Sequence, residues 1–142
     1  MTQKKKVQIS NYTILSISIG LVYLWFGALK FFPDASPAEK MATGVIDWLT
    51  FGLIPENISI LLLAFWETII GLLLILNVYK KIVIPLALVH ISCTFLPLFV
   101  FPEQSFTALP FGFTLAGQYI FKNIIIVSSL VILLKQSKTQ II

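Results

Sequence analysis

The sequence predicts an all-α membrane protein, a polytopic four-helix bundle with both termini cytoplasmic and a short amphipathic interfacial helix in its first outer loop. Three observations predict it. The 142 residues are 58% hydrophobic and only 11% charged, against about 25% charged in soluble domains, and the mean hydropathy is +0.96. Four apolar runs are each long enough to cross a hydrocarbon layer of roughly 30 Å, which takes about 20 helical residues. The lysines gather at alternate ends of those runs, as the positive-inside rule requires of a chain that crosses four times. This length fits one domain, here 1–142.

The first span covers about 12–32. "MTQKKK" ahead of an apolar run has the outline of a signal peptide, but the run is too long for an h-region and "DASPA" sets a proline where cleavage would fall. A retained first span is therefore expected. The loop that follows, "SPAEKMATGVIDWLTFGL", reads as a helix over about 37–51. Ser36 suits a cap, Pro37 a first helical position, and Glu39 the third position of a capping box. Met41, Val45, Trp48 and Leu49, with Phe51 or Gly52, then recur at helical spacing, as in a helix lying on the outer leaflet with Trp48 at headgroup depth. The second span covers about 58–78 and turns tightly at "NVYKK". The third, about 82–101, contains Pro85 and Pro97, and a kink is expected near Pro97. "PEQSFTALPFGFTLA" reads either as a lid folded over the outer mouth or as a plain interfacial connector. The fourth span covers about 117–134.

Lys4, Lys5, Lys6, Lys80, Lys81, Lys135 and Lys138 lie on one side without an acid among them. Lys40 shares the other side with Asp34, Glu39, Asp47, Glu56 and Glu103. Both termini are therefore expected in the cytoplasm. All 10 basic residues are lysine, so no guanidinium fork is present to grip phosphate or carboxylate. The pI near 9.3 does not point to nucleic acid, because the lysines sit at span ends. A single cysteine, Cys93, rules out an internal disulfide and a CxxC pair; in its apolar run it reads as a small filler.

Four ionisable residues fall within the spans: Lys30, Glu67, His90 and Lys122. A charge at mid-bilayer costs roughly 2.5–3.5 kcal/mol on translocon scales, so these groups should face one another or water. At about 1.5 Å per residue they lie roughly 3, 14, 16 and 8 Å below the outer end of their spans, respectively. Helical phase groups them with small and polar neighbours: Gly20, Tyr23, Gly27 and Lys30 on span one; Glu67 and Gly71 on span two; His90, Thr94 and Pro97 on span three; Gln118, Lys122, Ile125 and Ser129 on span four. The expected intramembrane binding site comprises Glu67, Lys122, His90, Lys30, Gln118, Asn123, Tyr23 and Trp66. Structural readings stand beside it. Glu67 and Lys122 are also what a register-fixing buried pair would look like. Lys30 is near enough to the interface to snorkel. His90 is compatible with a hydrogen-bonded core residue, and Trp25 and Trp66 with plain packing. One histidine and one cysteine fall short of a metal site.

"LWFGALKFF" (24–32), "FWETIIGLLLIL" (65–76) and "GQYIFKNIIIV" (117–127), in this order and at these span ends, resemble the DoxX-like family of four-span membrane proteins over about 10–135. Lys30, Glu67, Lys122 and Asn123 are the positions that match; His90 and Cys93 match no family pattern. The resemblance implies a membrane bundle in the bacterial cytoplasmic membrane and a role in redox physiology, since relatives include a subunit of a thiosulfate:quinone oxidoreductase. It implies at most a subunit of a quinone-linked enzyme, with a redox partner subunit or homo-oligomer as company. The chain itself lacks paired cysteines, arginine, and any flavin or haem motif. Three functions follow as expectations: a quinone- or small-molecule-binding redox component, with Lys122 or His90 donating to a quinone carbonyl and Glu67 balancing the proton; a small proton-coupled carrier built on Glu67; or a non-catalytic assembly or stress-response factor whose polar core is structural.

Overall fold

Three of the four apolar runs fold as helices and the fourth as a helix with one break, so the chain has four segments long and apolar enough to span a membrane: Asn11–Leu29, Glu56–Ile75, Lys80–Val100 and Leu115–Ser137. The computed structural model describes residues 2–32, 35–36, 39–108 and 111–139, with backbone alone at 2–10 and 138–139. The side chains of Lys4, Lys5, Lys6 and Lys138, and all of Asp34 and Pro37, lie outside the described residues. The order is α1 (Thr2–Leu29), α2 (Glu39–Thr50), α3 (Glu56–Ile75), α4 (Lys80–Cys93), α5 (Pro97–Val100), α6 (Pro102–Ser105), β1 (Phe106–Ala108), β2 (Gly112–Phe113) and α7 (Leu115–Thr139).

Helices α1 and α3 make the most extensive contact in the molecule, and glycine is the reason. A Cβ on Gly71 would lie 2.6 Å from the Leu24 nitrogen, and one on Gly20 would lie 2.8 Å from the Gly71 carbonyl oxygen. Only a missing side chain lets two helix backbones come this near, as in small-residue packing of membrane helices. Ser16 extends the seam by donating its hydroxyl to the Leu74 carbonyl at 2.9 Å. Helices α4 and α7 form the second pair. Between the pairs, Ile19, Ile70, Leu74, Val83, Ile84, Leu130 and Leu133 close a dry core.

The α3–α4 turn is closed by backbone geometry. Asn77 takes a left-handed conformation (φ 59°). The Val78 N–H returns to the Leu73 carbonyl at 3.1 Å and the Asn77 N–H to Leu74 at 3.2 Å, which is the Schellman pairing of a helix end. Asparagine is among the few residues that enter this region readily, so "NVYKK" makes a compact reversal directly ahead of α4.

The expected break near Pro97 is present and begins slightly earlier. α4 ends at Cys93, and the Leu96 N–H bonds to the Cys93 carbonyl at 3.1 Å, a tightened i→i+3 turn. Pro97 has no N–H to offer the Cys93 carbonyl, and it opens α5 at that helix's first position.

Three expectations need correction. The loop helix exists as α2, but it starts without the capping box: the Ser36 hydroxyl has no hydrogen-bond partner among the described residues, and the Glu39 N–H goes to the Ser36 carbonyl at 3.1 Å instead. The first span's helix ends at Leu29, before Lys30, Phe31 and Phe32, whose N–H groups make only i→i+3 bonds. The second loop, expected as a lid or a plain connector, is built around a small antiparallel hairpin, Phe106 opposite Phe113, within a structure that is otherwise helical. Their rings lie 4.9 Å apart, and Phe113 meets Phe121 of α7 at 5.0 Å. The hairpin also sets up the start of α7: Thr114 accepts the Gly117 N–H at 3.1 Å as an N-cap, and donates its hydroxyl to the Gln104 carbonyl at 2.7 Å.

Candidate functional site

At the end of the bundle away from the Asn77 turn, a cavity opens between the α1–α3 pair and the α4–α7 pair, and Lys30, Glu67 and His90 meet at its side. Lys30, in the first turn beyond α1, donates to Glu67 Oε2 at 2.5 Å and to the Phe26 carbonyl at 3.3 Å. Both side chains are more than 90% buried. Gly27 makes this possible: a Cβ there would stand 2.8 Å from the Thr68 nitrogen and 3.0 Å from the Glu67 Cβ. The glycine seam therefore does more than pack two helices; it brings the Lys30 ammonium within direct reach of the carboxylate.

The second carboxylate oxygen, Oε1, faces His90 Nε2 on α4 at 3.5 Å. The other ring nitrogen, Nδ1, lies 3.3 Å from the Tyr23 hydroxyl oxygen, and Tyr23 donates to the Ala87 carbonyl at 3.0 Å. Proton counting fixes the tautomer. Tyr23 has one hydroxyl hydrogen, and the Ala87 carbonyl can only accept, so Nδ1–H must be the donor to Tyr23. In neutral His90, Nε2 then presents a lone pair to the carboxylate. A separation of 3.5 Å, beyond hydrogen-bond range, suits two acceptors without a proton between them. One added proton would convert this contact into a charge-assisted hydrogen bond.

Beside this cluster lies a cavity of about 390 Å³, within the size range of small-molecule sites. Tyr23, Lys30, Glu67 and His90 line one part. Met41, Val45 and Leu49 of α2 supply an apolar wall, completed by Phe26 and Leu63. Thr43 ties α2 to the first turn of α3 by donating to Glu56 Oε1 at 3.0 Å. The remaining wall is polar and comes from α4 and α7: Thr94, Tyr119, Lys122 and Asn123. The Asn123 amide donates to Thr94 Oγ1 at 2.9 Å, joining α7 to α4 where α4 breaks. The Lys122 ammonium lies 4.3 Å from the centroid of the Tyr119 ring, a cation–π contact of about 0.5–1 kcal/mol at an exposed position.

The structure brings together Lys30, Glu67, His90 and Tyr23, and places Lys122 and Asn123 on the opposite wall of the same cavity. It does not pair Glu67 with Lys122: Glu67 is engaged by Lys30, and Lys122 stays exposed at the rim. Lys30 does not snorkel, since its ammonium is held in the interior by Glu67. Gln118 and Trp66 are exposed, and neither lines the cavity. The reason on α7 is phase. Its buried positions are Gly117, Ile120, Leu130, Leu133 and Ser137, so Gln118 and Ile125 point outward, with Ile125 67% exposed, and of that stripe Lys122 alone lines the cavity, at its rim. Cys93 is exposed beside the cavity and fills no core space. Sequence reasoning missed Tyr119, whose position three residues before Lys122 puts it on the same helix face, and Ser16, which continues the Gly20–Gly27 stripe by one more turn.

No family model, curated protein or solved structure matches this chain.

Proposed function

We propose that this chain is a DoxX-like component of the bacterial cytoplasmic membrane that binds a quinone-type lipid, with both termini in the cytoplasm and α2 lying at the outer interface. The observation that carries the reading is one cavity of about 390 Å³ with two kinds of wall. An apolar surface from α2, Phe26 and Leu63 suits a hydrocarbon body, while the Lys122 ammonium on the polar wall suits a carbonyl head group. Ionisable residues among membrane spans mark ligand or proton sites by default, and the likeness of the Lys30, Glu67 and Lys122–Asn123 segments to DoxX-like proteins supports a quinone over other small molecules. In this reading the chain binds and orients the quinone, and a partner redox subunit supplies the electrons.

The experiment is extraction of lipids from protein purified in native-lipid nanodiscs, followed by mass spectrometry and by thermal unfolding with an added short-chain quinone. Co-purified quinone and a rise in melting temperature are expected, since a ligand that binds only the folded state stabilises it. A preparation free of quinone, with a melting temperature indifferent to it, would sink the reading.

A further inference from the structure

We infer that the cavity selects its ligand as a monoanion, an ionised hydroxyquinone or quinol-type lipid whose charged oxygen pairs with Lys122 while the Lys30–Glu67 pair stays closed. The inference rests on the quinone reading of the cavity and names the charge state that reading leaves open. Its first support is charge balance. Two lysines and one glutamate line the cavity, which leaves one positive charge without a counter-ion among the described residues. The single carboxylate cannot supply it: Oε2 is bonded to Lys30 and Oε1 faces His90. Lys122 stands exposed at the rim of a largely apolar cavity, where its charge attracts an anion and does little for a neutral ligand, so an anion entering this space gains more than a neutral ligand would.

Donor geometry is the second support. Among the described residues Lys122 contacts the face of Tyr119, a weak contact that can be exchanged for an ion pair without breaking a hydrogen bond to a described residue. The polar wall it shares with Asn123 and Tyr119 carries N–H and O–H groups and no carboxylate, so it favours a ligand oxygen rich in electrons. His90 adds to the same bias, because any proton it gains raises the charge of the cavity further.

The test uses two probes that differ by one methyl group and one charge, an alkylated hydroxynaphthoquinone that is ionised at neutral pH and its neutral methyl ether. Each is titrated into the full chain in nanodiscs of zwitterionic lipid and followed by tryptophan fluorescence. The ionised probe should bind about tenfold more tightly or better, as expected of a charge-assisted hydrogen bond gained. Lys122→Met should weaken the ionised probe far more than the ether and so erase the preference, and Lys122→Arg should keep it. Lys122 is exposed and outside the packed core, so neither variant threatens the fold. Equal binding of the two probes would overturn the inference and leave the quinone reading standing; failure of both to bind would remove the reading and the inference together. A preference that survives Lys122→Met would overturn the assignment to Lys122.

Discussion

The same helices make two different structures at their two ends. Towards the Asn77 turn, Ser16, Gly20, Leu74, Val83 and Leu130 pack closely, with the Ser16 hydroxyl donated to the Leu74 carbonyl. Towards the α2 end, α1 and α3 stay together while α4 and α7 move away, and the space between fills with Lys30, Glu67, His90 and Lys122. Glycine and proline account for the difference. Gly20, Gly27 and Gly71 keep the α1–α3 seam shut along most of its length, whereas Pro97 ends the regular run of α4 one turn beyond His90. The lesson is that one seam is fixed by backbone contact and the other is left to side chains, and a cavity opens along the second.

The largest break in this contrast should come from Lys30→Met. It leaves the Glu67 carboxylate buried without its cation, and losing one partner of a buried pair costs about 3–5 kcal/mol. Thermal unfolding in detergent should show the loss, and the double variant Lys30→Met/Glu67→Leu should recover much of it. If the single variant unfolds like the parent, the pair is not the anchor of the open end. Next comes Gly71→Val at the shut end. Its side chain meets the Leu24 backbone, which cannot yield as a flexible side chain would, and overpacking of this kind costs about 1–3 kcal/mol. Unchanged stability there would mean that the seam is looser than its distances imply. Ser16→Ala, one turn further along, removes a single buried hydrogen bond and should cost about 1 kcal/mol, read by the same unfolding experiment.

Much of the α1–α3 seam was legible in the sequence. Spacing alone put Gly20, Tyr23, Gly27 and Lys30 on one face and Glu67 with Gly71 on another, because three or four residues per turn leave little freedom once a helix is certain. Which cation would meet Glu67 was not legible. Axial depth favoured Lys122, but depth says nothing about which helices adjoin, and the glycine seam that brings Lys30 to Glu67 appears only when α1 and α3 are set side by side. The hairpin at Phe106–Phe113 was hidden for a similar reason. Its strands are three and two residues long, too short to show alternation, and the stacking on Phe121 that accompanies it is a tertiary contact. The phase of α7 was misread because its polar residues were assumed to point inwards. In an apolar helix the buried stripe is instead set by Ile120, Leu130 and Leu133, which differ little in hydropathy from the exposed Ile124 and Ile125.

That misreading supplies the sharpest small-effect test. Gln118 and Lys122 are four residues apart on α7, yet only Lys122 lines the cavity. Gln118→Leu removes a polar side chain that is exposed and has no side-chain hydrogen bond among the described residues, so its effect on stability should stay within about 0.5 kcal/mol, and it should not change the affinity of any probe that Lys122→Met weakens. A loss of binding in Gln118→Leu comparable with that in Lys122→Met would mean that α7 turns its Gln118 face inwards when ligand is bound. The wall of the cavity would then be the originally expected stripe of Gln118, Lys122 and Ile125, and the contrast between a fixed and an adjustable seam would become a contrast between a fixed helix pair and a rotating one.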